Sequence, residues 1–122
     1  MEAYLLAGQP DAALKMQLLF QTLGDVNRLR IIRVIGSGER SVNEIVSATG
    51  LSQPLVSHHL RVLRDKQVLE TNRKGPFVFY AVKNKRLLDA LGIFQELALT
   101  VENLKSESPM FCCPPWWRWF SR

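Results

Sequence analysis

Two short helices joined by a glycine turn, a basic β-hairpin directly after them and a broad apolar helix at each end predict the fold class. It is mainly α with a β-hairpin wing: a winged helix-turn-helix, homodimeric. The first observation is the stretch SVNEIVSATGLSQPLVSHHLRVL, residues 41–63. Ser41 and Glu44 have capping-box spacing, which starts a helix with Val42, Ile45, Val46 and Ala48 as its apolar set. Gly50 suits the left-handed residue that ends a helix. Ser52 then caps a second helix, with Pro54 in its first turn, where a missing N–H costs nothing. Val56, Leu60 and Leu63 recur at i, i+4 and i+7 and face the core. The other side carries Gln53, Ser57, His58 and Arg61, short or cationic groups suited to hydrogen bonding with base edges.

The flanking elements follow in chain order. Residues 1–10 are short and weakly patterned. Asp11 is placed to cap a helix running to about Gly24, with Leu14, Leu18, Leu19, Phe20 and Leu23 along it. That is more apolar surface than a small core needs, and a partner subunit is the simplest cover. Asp25 caps the next helix, in which Leu29, Ile32, Ile35 and partly Val34 are expected to face inward. Arg28, Arg30 and Arg33 around it have two open readings, structural or phosphate-positioning. After Asp65 the period changes: residues 68–73 and 77–82 are β-rich runs either side of Lys74-Gly75-Pro76. A hairpin directly after a recognition helix is a wing, and Arg73 and Lys74 are placed to meet phosphate or the minor groove. A plain structural hairpin with solvated cations is the alternative. Asn84 starts a last helix to about Lys105, with Leu87, Leu88, Leu91, Ile93, Phe94, Leu97, Ala98, Val101 and Leu104 as a wide stripe. Pairing the first and last helices with their copies would set two recognition helices about one DNA turn apart on a pseudo-palindromic site. Residues 1–105 are thus read as the DNA-binding and dimerisation domain, and residues 106–122 as a Cys/Trp-rich C-terminal tail.

Charge agrees with a duplex binder. The 122-residue chain carries +5, but residues 28–86 hold twelve cations and four anions, a local +8. The segments on either side are net acidic, so the positive field is concentrated around the helix-turn-helix. No secretory signal and no apolar run of about 20 residues is visible, which leads us to expect a cytoplasmic protein with no membrane partner. A catalytic cysteine would need a neighbouring base, and both histidines lie in the DNA-facing helix, so an enzyme is not expected.

Three stretches together resemble the arsenical-resistance repressor (ArsR/SmtB) family of winged-helix repressors. They are Leu23-Gly24-Asp25-Val26-Asn27-Arg28-Leu29-Arg30-Ile31, Ser52-Gln53-Pro54-Leu55-Val56-Ser57-His58-His59-Leu60-Arg61-Val62-Leu63, and the hairpin ending Phe79-Tyr80. The resemblance covers residues 12–104 and implies homodimeric repressors that leave DNA when a metal, metalloid or redox signal reaches them. Two of the family's sensor sites are not matched. The thiolate site would fall near Gly38–Ile45, where there is no cysteine. The zinc site of the last helix needs Asp and His, and here that helix offers Asp89, Glu96 and Glu102 without a histidine. His58 and His59 are read instead as a DNA contact and as a core or phosphate contact.

Cys112 and Cys113 remain as sensor candidates. Adjacent cysteines rarely bond to each other, because the ring closed through the peptide is strained. Two neighbouring thiolates do suit a soft, thiophilic centre. A trivalent arsenical fits as inducer: a monosubstituted arsenical takes two thiolates, and inorganic arsenite or antimonite needs a third ligand. No constitutive cofactor is expected. The same thiols also admit a redox reading through an inter-subunit disulfide, a haem reading at Cys113-Pro114, and an incidental one. Under the incidental reading the chain is a constitutive DNA binder without a small-molecule ligand. Trp116, Trp117, Trp119 and Phe120 with Arg118 and Arg122 suit packing onto the body or a partner, or an interfacial anchor.

Overall fold

The computed structural model of the protein describes residues 11–101. Cys112, Cys113 and the rest of the 106–122 tail lie outside them. The elements run α1 (Ala12–Leu23), α2 (Val26–Ile35), β1 (Glu39–Ser41), α3 (Val42–Thr49), α4 (Gln53–Asp65), β2 (Leu69–Lys74), β3 (Phe77–Val82) and α5 (Arg86–Thr100). The chain divides into two compact units, one up to Asp89 and one from Ala90.

Local chemistry sets most boundaries. The Asp25 carboxylate accepts from the N–H groups of Asn27 (2.8 Å) and Arg28 (3.3 Å), filling two orphan donors at the start of α2. Ser41 Oγ accepts from Glu44 N at 3.3 Å and Ser52 Oγ from Leu55 N at 3.4 Å. The reciprocal half of the capping box differs from the expected one. The Glu44 carboxylate takes the Ser41 hydroxyl at 3.3 Å and pairs with Arg40 at 3.5 Å. Gly50 ends α3 at φ 73°, ψ 5°, the left-handed conformation its lack of a side chain permits. Asp11, expected to cap α1, has helical backbone angles and makes no side-chain cap bond.

The core is built where α2, α3 and α4 meet. Ile31, Ile32, Ile35, Ile45, Val56, Leu60 and Leu63 are buried there, closed from the sheet side by Leu69, Ala81 and Val82. One inward assignment on α2 is corrected: Leu29 is exposed and Ile31 takes its place. Two adjacent isoleucines, with Ile35 one turn on, aim at α3 and α4, and Leu29 falls outside that arc. On α3 only Ile45 is fully buried, and Ala48 is exposed. α1 buries Thr22 and Leu23, while Leu14, Met16, Leu18, Leu19 and Phe20 remain exposed. In the first turn of α5, Asn84 Oδ1 accepts from Arg86 N at 3.0 Å, and Leu87 and Leu88 are half-buried. The helix is described from Arg86 to Thr100, and its expected end near Lys105 lies outside the described residues.

The hairpin closes over Gly75-Pro76, with Lys74 opposite Phe77 and Leu69 opposite Val82. Gly75 at φ 62° supplies the positive φ that two-residue hairpins require. A third strand absent from the sequence reading, β1, pairs antiparallel with β3, so the sheet order is β1-β3-β2. α4 ends in a Schellman arrangement, Val68 N to Leu63 O and Gln67 N to Arg64 O, both 2.9 Å. Its left-handed position, φ 64°, is held by Gln67 rather than glycine. A side chain there carries a steric cost that glycine avoids, partly offset by glycine's larger unfolded-state entropy. Gln67→Gly is therefore expected to raise the unfolding free energy by about 0.5–1 kcal/mol in urea titrations. A loss of stability would mean that the Gln67–Lys83 hydrogen bond (2.7 Å) outweighs the backbone term.

Candidate nucleic-acid interface

α4 is amphipathic in a way that separates two chemistries. Val56, His59, Leu60 and Leu63 point into the core, whereas Gln53, Ser57, His58, Arg61 and Arg64 are all exposed. Gln53, Ser57, Arg61 and Arg64 follow the i, i+4, i+8, i+11 spacing of a single stripe, and His58 lies beside it. The stripe is short at its N-terminal end and cationic at its C-terminal end. Arg64 lies 3.9 Å from the Asp65 carboxylate in an exposed pair that contributes little holding force. The structure thus brings the five predicted α4 residues onto one accessible face.

Arg73 and Lys74 end β2 at the wing tip, both exposed. They differ in occupancy. Lys74 forms an ion pair with Glu39 on β1, and its ammonium stands 5.4 Å from the Phe79 ring centroid. Asn72 Nδ2 donates to the same carboxylate at 3.3 Å. Hydrogen bonds from Lys74 and then Asn72 hold the Glu39 carboxyl below the usual carboxylate range, so it stays ionised. A phosphate reaching Lys74 has to compete with Glu39, whereas Arg73 makes no ion pair among the described residues. Sequence reasoning missed Glu39, and no local signal marks it, since it lies 35 residues from Lys74.

Of the three α2 arginines, Arg28 is structural: Nη1 donates to the Thr22 carbonyl (3.0 Å) and Nε to His59 Nδ1 (3.3 Å). Arg30 and Arg33 are exposed. His59 takes the core reading, at 5% exposure. Among the described residues no group of three or more His, Cys, Asp or Glu side chains converges on a metal-sized site.

A helix-turn-helix with one exposed polar stripe and a basic wing is a duplex-reading arrangement. Residues 25–71 match the profile of the family described as bacterial regulatory protein, arsR family. The biofilm growth-associated repressor of Agrobacterium fabrum is 33% identical over 82 residues, covering 65% of this chain and 70% of that one. The chain belongs to the arsR family. It is accordingly a DNA-binding transcriptional repressor and not an enzyme. The arsenic resistance transcriptional regulator ArsR1 of Pseudomonas putida is 41% identical over 64 residues, 52% of this chain and half of that one. The architecture is shared with a homodimeric winged helix-turn-helix DNA-binding domain from Mycobacterium bovis, described as a possible ArsR-family transcriptional regulator. It superposes with TM-score 0.67 at 27% identity, covering 80% of this chain and 95% of that one. No helix among the described residues is long and apolar enough to cross a membrane.

Proposed function

We propose that this arsR-family repressor works in the reducing cytoplasm as a homodimer on a pseudo-palindromic double-stranded operator. We further propose that a trivalent arsenical bound by Cys112 and Cys113 releases it. Gln53, Ser57, His58 and Arg61 read base edges or flanking phosphates in the major groove, and Arg64, Arg73 and Lys74 supply phosphate and wing contacts. Dimerisation is supported by the homodimeric Mycobacterium relative and by the apolar residues that α1 leaves exposed. The observation that carries the sensing is the vicinal thiol pair, in a chain that lacks cysteine elsewhere. The arsenic-named relative supports the same inducer class.

Binding exchanges As–O for As–S bonds: each thiol gives its proton to a departing hydroxide, water leaves, and no oxidation state changes. A monosubstituted arsenical is satisfied by two sulfurs, so it should act at lower concentration than inorganic arsenite or antimonite. Operator DNA and inducer must then weaken each other's binding by the same factor.

The test is fluorescence anisotropy of the full chain on a labelled duplex from its own promoter, under reducing conditions. Phenylarsenite, methylarsenite, arsenite, antimonite and zinc are titrated against the native protein and Cys112→Ser/Cys113→Ser. Release by trivalent arsenicals in the native protein alone is the expected result. Equal response of the double variant removes the thiol pair from sensing and overturns the arsenical reading, whereas release of the native protein only on oxidation favours a redox-responsive repressor. No release by any condition leaves a constitutive DNA binder.

A further inference from the structure

His59 is the one buried ionisable side chain of the recognition helix α4, and its surroundings are those of a neutral ring. The guanidinium of Arg28 has only donors to offer, so Nδ1, 3.3 Å from Arg28 Nε, must be an unprotonated acceptor. The ring proton therefore sits on Nε2, which is buried without a hydrogen-bond partner. Arg28 continues outward: Nη1 donates to the carbonyl of Thr22 in the last turn of α1. Thr22 is itself buried, with its hydroxyl donating to Leu18 O at 2.8 Å. A continuous polar path thus runs from α1 through one guanidinium to α4.

We propose that Arg28 is a positioning residue that fixes the recognition helix relative to the end of α1 through the neutral His59 ring, so that protonating His59 loosens operator binding. This deepens the repressor reading and rests on it. The physical step is simple. A second ring proton would place an Nδ1–H against the Arg28 Nε–H, donor facing donor, and bring two cations together. Either the arginine or the ring must move, and with it the angle at which α4 presents Gln53 and Ser57.

Three titratable groups act on the ring: Asp25 and Arg28 at the start of α2, and His58 on α4 itself. Burial is the largest influence and lowers the His59 pKa below 6.5; Arg28 and His58 lower it further, and Asp25 opposes them. The link is thus intact at neutral pH and is broken as pH falls through the folded pKa, below 6.5. The sign is opposite to the nonspecific trend, since acidification makes the chain more cationic and strengthens attraction to phosphate.

The experiment measures operator affinity of the full chain by fluorescence anisotropy from pH 7.5 to 5.5 at constant ionic strength. His59→Gln is run in parallel, its amide oxygen able to accept from Arg28 but unable to take a proton. Both proteins keep His58, so the ratio of their affinities isolates position 59. The native affinity relative to that of His59→Gln is expected to fall more than threefold across the range, steepening toward its acid end. A ratio constant within threefold overturns the proposal. If His59→Gln does not fold, imidazole nitrogen NMR of the native chain decides instead. An Nε2–H tautomer that titrates together with operator loss supports the link, and an Nδ1–H tautomer refutes it. Absence of operator binding at pH 7.5 would sink the repressor reading itself, an outcome distinct from a flat pH ratio.

Discussion

Gln53→Ala is expected to cost about 1–3 kcal/mol of operator binding, roughly 5- to 150-fold in Kd, while affinity for unrelated duplex stays the same. Gln53 is the first residue of α4, directly after the Ser52 cap. In helix-turn-helix proteins the N-terminal residues of the recognition helix reach base edges, and an amide suits an adenine edge bidentately. Arg61, two turns further along the same stripe, should behave differently. Arg61→Ala is expected to weaken binding to every duplex and to reduce the salt slope by about one per site, the mark of a lost phosphate contact. Anisotropy titrations on operator and scrambled duplex at several salt concentrations separate the two. Reversed effects, with Arg61 carrying the discrimination and Gln53 the salt dependence, would turn the helix end for end in the groove.

Much of that face was legible because helix caps are local. Asp25, Ser41 and Ser52 each lie within three residues of the N–H groups they satisfy, and Gly50 marks its turn by being the residue that tolerates φ 73°. Once those boundaries are set, the 3.6-residue period gathers Gln53, Ser57 and Arg61 into one arc of the helix and Val56, Leu60 and Leu63 into another. What the sequence hid depends on tertiary neighbours. β1 is three polar residues, too short to show a two-residue alternation, and exists because β3 offers it an edge. The turn at Gln67 lacks the glycine that would have announced it. Leu29 and Ile31 are equally apolar, and only the placement of α3 and α4 decides which is buried. Glu39 and Lys74, like Arg28 and His59, meet across more than 30 residues, so no spacing rule brings either pair together.

Leu60→Ala is expected to have the largest effect on the fold, about 2–5 kcal/mol of unfolding free energy. Leu60 is fully buried, one helical turn from Val56 and less than a turn from Leu63. Its removal takes away the side chain's transfer free energy and leaves a cavity in a core rich in isoleucine and valine, whose stiff side chains limit collapse. A domain of this size has about 5–15 kcal/mol in total, so the loss is a large share of its stability. Urea unfolding followed by circular dichroism measures it, and Leu60→Met, which conserves volume, should cost less than about 1.5 kcal/mol. The pair of variants also separates packing from recognition. Leu60 touches no DNA in this arrangement, so operator affinity per folded Leu60→Ala molecule should fall only as far as α4 tilts. A cost below about 1 kcal/mol would mean that α4 is not seated on α2 and α3, and the exposed stripe would lose its rigid support.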